Sequence, residues 1–234
     1  MKKPLVLVVL VAVALAGCTA GGPTLSKSDA EDVLFTADDA PHDAVMNELG
    51  QEDDMDIEDF LDDTTDDVDI EFDPEECLNS TFPLLLLDRD EDGPAGRVFR
   101  GDSITTALDS DQGGYATQWL RWFETPGEAA SFFSQYRSEQ AKCTEFTVDT
   151  DDGDVEVEAD VEDAAGGDEA YVLNTEADYE DDDNRSGQQY VIRAGNVILM
   201  ISGAADTKDQ RNALQDLVDE AVDRLEDAAE DAAK

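Results

Sequence analysis

The chain has 234 residues, 60 of them acidic and 15 basic, for a formal net charge of −45. A surface of that sign repels polyanions and excludes the nucleic-acid-binding classes, whose footprint is basic. Hydrophobic residues still make up 41%, with nine Phe, five Tyr and two Trp, which excludes a wholly disordered polyacid and is enough for one domain with a real core.

Lys2 and Lys3 precede an apolar run from Leu5 to Gly17. A bilayer-spanning helix needs about 20 residues, so this shorter run reads as the core of an export signal and not as a permanent span. It ends in Leu15-Ala16-Gly17-Cys18, which resembles the lipobox cut by the bacterial lipoprotein signal peptidase. Small residues admit the protease, and the Cys18 thiol is the nucleophile that can carry a diacylglyceryl thioether. Residues 1–17 are then the signal peptide and 18–24 (CTAGGPT) a tether. A multiply acylated Cys18 anchors the protein to the outer face of the cell membrane, because each buried CH₂ contributes about 0.8 kcal/mol. The alternative is an ordinary secreted protein in which Cys18 forms a disulfide. Loss of Lys2 and Lys3 takes the net charge to −47; such an excess of carboxylate also suits a high-salt habitat, where screening lowers self-repulsion.

Ser26 with Asp29 predicts the start of a short helix over 27–35, with Ala30, Val33 and Leu34 on one side. Residues 51–71, QEDDMDIEDFLDDTTDDVDIE, hold many acids and no base and read as an acidic, mobile stretch, although Val68, Ile70 and Phe72 alternate as in an edge strand. Asp73-Pro74-Glu75-Glu76 predicts a helix start, and 82–87 a buried segment of unassigned type. Residues 97–108 and 115–123 are strand-like, the second carrying Trp119 and Trp122 on opposite faces, as in a central strand. Thr125-Pro126-Gly127-Glu128 is a capping box opening a helix to about residue 142, with Ala129, Phe132, Phe133 and Tyr136 as its apolar stripe. Three strands follow, around 144–148, 155–161 and 171–175. QQYVIRAGNVILMISG then reads as a hairpin turning at Gly195-Asn196. From Thr207 to about Ala232, apolar residues recur at helical spacing and predict one long amphipathic helix. The order predicts an α+β fold, a single domain over 25–234: one antiparallel sheet covered on one face by helices, including a long C-terminal helix, with the other face left to solvent or a shallow cleft.

With Cys18 acylated, Cys77 and Cys143 remain in an oxidising space and are expected to form one disulfide; the alternative is two free buried thiols. Asp88, Asp90 and Asp92 lie in DRDEDG, which copies the first half of an EF-hand loop, but the twelfth loop position is Phe99 and not the bidentate Glu. This predicts at most weak Ca²⁺ binding. The chain has a single histidine, His42, and no G-x-S-x-G, H-E-x-x-H or phosphate loop, so nucleophilic and zinc schemes lose a required part and no catalytic residue is assigned. Trp119 and Trp122 are candidates for a ligand groove, although aromatics at such spacings usually belong to the core.

Leu25–Pro41, LSKSDAEDVLFTADDAP, resembles the opening helix and turn of actinobacterial sensor-type lipoproteins related to the extracytoplasmic sensor domain of PknH-type Ser/Thr kinases. The later order is similar too: a cysteine, a tryptophan-bearing strand, the helix EAASFFSQYRSEQAK, a second cysteine and further strands. The sequence departs from that pattern in Ala40-Pro41, where Leu-Pro is usual, in the acidic stretch 51–71, and in having cysteines for one bridge where the kinases carry two. The resemblance implies a non-enzymatic sensory module at the outer face of the membrane, with a cleft beside an antiparallel sheet. The expected partners are the membrane, through the lipid, and an unidentified small ligand or envelope protein; no cofactor and no nucleic acid are expected. The rival readings are a Ca²⁺-dependent structural or adhesion protein and, behind it, a carboxylate-pair hydrolase.

Overall fold

The computed structural model describes residues 22–35, 45–49, 71–74, 77, 95–100, 116–150, 153–179 and 184–233. In chain order the elements are α1 (Lys27–Glu31), β1 (Val45–Leu49), β2 (Glu71–Asp73), β3 (Ala95–Arg100), β4 (Ala116–Trp122), α2 (Pro126–Gln140), β5 (Glu145–Thr150), β6 (Gly153–Asp163), β7 (Glu169–Asp178), β8 (Arg185–Ala194), β9 (Val197–Ala204) and α3 (Lys208–Ala232). The described strands form one nine-stranded sheet in the order β1-β3-β4-β9-β8-β7-β6-β5-β2. Every pairing is antiparallel. The α+β class, the single antiparallel sheet and the long C-terminal helix are as expected.

Local chemistry sets the helix starts. Ser26 caps α1 by accepting from the Asp29 N–H. Thr125 and Glu128 close a reciprocal capping box on α2, and Thr207 and Gln210 do the same on α3, each box satisfying two backbone donors that a helix start otherwise leaves orphaned. The β8–β9 hairpin turns at Gly195-Asn196, where Gly195 has φ +57°. A Cβ there would lie 1.9 Å from the Pro23 carbonyl oxygen, so both the dihedral and the space require glycine.

The covering of the sheet corrects an expectation. On β9, Leu199 and Ile201 face one side and Ile198 and Met200 the other, all with no exposed surface. The first side packs with Leu25, Ala30, Leu34 and Phe35 around α1 and with Leu214, Leu217, Val218, Ala221 and Leu225 of α3. The second packs with Ala129, Phe133 and Tyr136 of α2. The helices therefore cover both faces, not one. A central strand that is apolar on both sides needs cover on both, and the unbroken run VILMI is such a strand.

Asp73 ends the edge strand β2, paired with Thr147 of β5; Glu75 and Glu76, in the expected helix start, lie outside the described residues. The Asp73–Pro74 peptide is cis, and the Cys77 N–H donates to the Pro74 carbonyl at 3.0 Å, closing one turn. The disulfide cysteine thus sits three residues after Pro74 on that same turn. That bridge, Cys77–Cys143, is formed; it lies in a satellite core with Phe72, Phe146, Val155 and Val157.

Candidate functional site

Under α2 lies a seam of polar groups. The Tyr136 hydroxyl donates to Gln189 Oε1 at 3.4 Å and Gln140 Nε2 donates to the same atom at 2.7 Å. Gln189 Nε2 donates in turn to Ser202 Oγ at 3.4 Å. Beside it, Tyr171 has its ring edge-on to Phe133 at 5.2 Å, with the Arg137 guanidinium 5.5 Å from the ring centre. Arg137 is paired with Asp163 at 2.7 Å. Burial pushes the Tyr136 phenol well above its usual range, and burial followed by the neighbouring Tyr136 does the same for Tyr171, only partly opposed by Arg137. Amides and protonated phenols can hold a hydrogen-bonding partner. Tyr136, Gln140 and Gln189 are all buried, so the seam fixes α2 on the sheet.

The Tyr171 hydroxyl is buried with no hydrogen-bond partner among the described residues. A buried orphan hydroxyl costs free energy that its ring contacts do not need. Tyr171→Phe is therefore expected to raise stability by about 1 kcal/mol, read as a higher urea midpoint at unchanged slope. Both phenols stay protonated in the folded chain, whereas an unfolded tyrosine ionises near pH 10. Their contribution is fully present below that pH and is lost as pH rises above about 10. Tyr171→Phe should make the loss shallower.

Trp119 and Trp122 do not meet. Trp119 packs under α2 with Phe133 and Ile198. Trp122 is half-buried on the opposite face, and its Nε1 donates to the Leu25 carbonyl at 2.8 Å. Cys18, His42, Asp88, Asp90 and Asp92 lie outside the described residues.

The feature that the sequence reading missed is an open acidic face. On the side of the sheet that carries α1 and α3, cover ends at β7. Beyond it Glu145 of β5 stands directly opposite Glu158 of β6, and Glu158 opposite Glu176 of β7; all three are exposed. The next row is Thr147, Glu156 and Asp178. Only toward β8 do amides interrupt the charge, as Gln188 Nε2 donates to Asn174 Oδ1 at 2.8 Å and Asn174 Nδ2 to Glu162 Oε2 at 3.4 Å. The signal was VEVEADVED, in which acids occupy every second position, but register is needed to show that neighbouring strands place acids against acids. Like charges directly opposed destabilise a sheet. Glu158→Gln is expected to stabilise by about 0.2–1 kcal/mol at low salt, with the gain shrinking at 1 M NaCl as the Debye length falls to about 3 Å.

Comparison with known proteins agrees with this architecture. No curated protein matches the chain. The crystal structure of the extracellular domain of PknH from Mycobacterium tuberculosis superposes with a TM-score of 0.54 at 10% identity, covering 88% of this chain and all of that one. A putative uncharacterized protein from Mycobacterium smegmatis gives a TM-score of 0.44 at 11% identity, covering 87% of this chain and 98% of that one. The family model of the PknH-like extracellular domain matches residues 25–224. The chain, with its two-faced antiparallel sheet, its Cys77–Cys143 bridge and its C-terminal helix, belongs to the PknH-like extracellular domain family.

Proposed function

We propose that this protein is a non-enzymatic, sensor-like module of the bacterial cell envelope, anchored to the outer face of the cell membrane through a lipid on Cys18, which recognises a small ligand or an envelope protein. The observation that carries the reading is the family match over 25–224, to a domain described as extracellular. The leader ending in Leu-Ala-Gly-Cys supplies the anchor, and the disulfide fits an oxidising compartment.

Fractionation of expressing cells tests the anchor. The protein should partition with membranes and Cys18→Ala should release it; a wild-type chain found wholly in the soluble fraction overturns it. Cross-linking in intact cells and thermal-shift titration with envelope glycans test the sensing role. No captured protein and no shifted midpoint would sink it.

The second reading is a Ca²⁺-dependent structural or adhesion protein, although among the described residues no group of three or more carboxylates, histidines or cysteines is placed to hold a metal ion. Micromolar Ca²⁺ raising the unfolding midpoint, where Na⁺ of equal ionic strength does not, would favour this reading over the first.

A further inference from the structure

We infer that the protein stands on the bilayer by one defined end of its sheet, the end carrying the β8–β9 turn, and that this orientation is imposed by a lock between the residues just after the anchor and that turn. The inference rests on the anchor reading and adds to it which surface faces the lipid headgroups.

The lock begins at residue 22. A Cβ on Gly22 would lie 3.0 Å from Gly195 Cα, and the Pro23 carbonyl oxygen occupies the space of a Gly195 Cβ. The side chain of Asn196 then holds both backbone groups of Leu25. Its Oδ1 accepts from the Leu25 N–H at 2.8 Å, while its Nδ2 donates to the Leu25 carbonyl at 3.1 Å and to the Phe123 carbonyl at 2.7 Å. Trp122 Nε1 donates to the same Leu25 oxygen at 2.8 Å. Asn196 has no exposed surface and Leu25 only 1%. The chain that sequence alone reads as a tether is thus part of the fold from Gly22 onward. Cys18 is four residues away, a reach of at most about 14 Å.

The direction follows from topology. Trp122 of β4 pairs with Val197 at the start of β9, and Ala116 with Gly203 near its end. The β6–β7 connection is bound to the same turn, since the Gly195 N–H and Arg193 Nη1 both donate to Asp168 Oδ2, at 2.8 and 3.0 Å. These turns, Ala164–Asp168 and Gly195–Asn196, contain one charged residue, Asp168, and Arg193 pairs with both it and the adjacent Glu169. The β5–β6 and β7–β8 connections leave the opposite end, roughly 26 Å away along the eight residues of β9, and their sequences are rich in acid: TDDG and YEDDDN. The most acidic stretch, 51–70, follows Leu49, whose partner Gly96 stands opposite Trp119 toward the anchored end, so charge does not by itself select an end. Acids do occur at the anchored end, in the last turns of α3, where Glu226 Oε1 accepts from the Gly167 N–H at 3.1 Å. They oppose insertion into lipid, so the hydrogen-bonded lock, and not affinity of the surface for lipid, sets the orientation.

The test uses the mature chain from Cys18 with its disulfide intact, coupled through the Cys18 thiol to maleimide lipids in phosphatidylcholine vesicles that carry a headgroup energy acceptor. A donor is placed at Glu124, beside the anchored turn, or at Lys208, at the opposite end. Transfer from 124 should exceed that from 208 by about twofold or more, given the length of β9; equal or reversed values overturn the inference. Inserting fifteen Gly/Ser residues between Ala20 and Gly21 leaves the fold untouched and should abolish the contrast. A contrast that survives the insertion shows that surface affinity orients the domain, and overturns the lock. Asn196→Ala should weaken the contrast in the same direction. Mass spectrometry of the native protein reads the anchor separately: an unacylated Cys18 overturns the anchor reading and leaves the result on coupled vesicles standing.

Discussion

A Cys77→Ser, Cys143→Ser double variant of the mature chain is expected to unfold roughly 8–16 °C below the wild type. The bridge joins residues 66 apart in sequence, and the chain-entropy model assigns about 4 kcal/mol to a loop of that length. For a domain of this size each kcal/mol moves the midpoint by roughly 2–4 °C. The loss should be felt first where the bridge acts. Phe72 stacks on Phe146 with ring centres 6.0 Å apart, and among the described strands β2 pairs with β5 alone, so hydrogen exchange at Glu71–Asp73 should rise before that at β8 and β9. A midpoint lowered by less than about 3 °C, or two reactive thiols in the denatured, unreduced wild type beyond Cys18, would contradict the assignment.

Replacing Asn196 separates a hydrogen-bonding role from one of mere size. In Asn196→Asp the acceptor toward the Leu25 N–H survives, but the amide that donates to the Leu25 and Phe123 carbonyls becomes a buried carboxylate facing two carbonyl oxygens. A buried charge stripped of its partners costs about 3–5 kcal/mol. Asn196→Asp should therefore destabilise more than Asn196→Ala at pH 7, although it is the closer isostere. The sign with pH is also set. Burial raises the pKa of the new carboxyl above its unfolded value, so the folded state binds the proton more tightly and part of the lost stability returns as pH falls. Urea denaturation of both variants at pH 7 and pH 5 reads this; an Asp variant at least as stable as the Ala variant at pH 7 would dismiss the clamp.

The two variants bracket what could be read from the chain before its fold was known. The pairing of Cys77 with Cys143 follows from counting once Cys18 is read as the lipidated residue, and no geometry is needed. Asn196 was legible only as the second residue of a hairpin turn. Its side chain serves Leu25, 171 positions earlier, and no local pattern carries that. Similarly, Asp73 ends a strand whose partner Thr147 lies 74 residues away, and the local carboxylate-proline pattern does not carry that. Trp119 and Trp122 were correctly placed on opposite faces of a central strand, which is also why they cannot line one groove.

What the sequence determined by itself is whatever depends on near neighbours or on covalent chemistry: the capping boxes at Thr125 and Thr207, the glycine turn, the periodicity of α3, the alternation of β6, the acid excess and the pairing of the cysteines. Each arises from interactions within a few residues or from counting. The tertiary structure alone decided which face each helix covers, that Gly22–Leu25 are clamped to the β8–β9 turn, and that the acids of β5, β6 and β7 stand against one another on an open face. These depend on register and on contacts between distant parts of the chain. A one-residue slip in a strand would send every side chain to the other face, so only the assembled sheet shows which carboxylates meet and which residues the clamp holds.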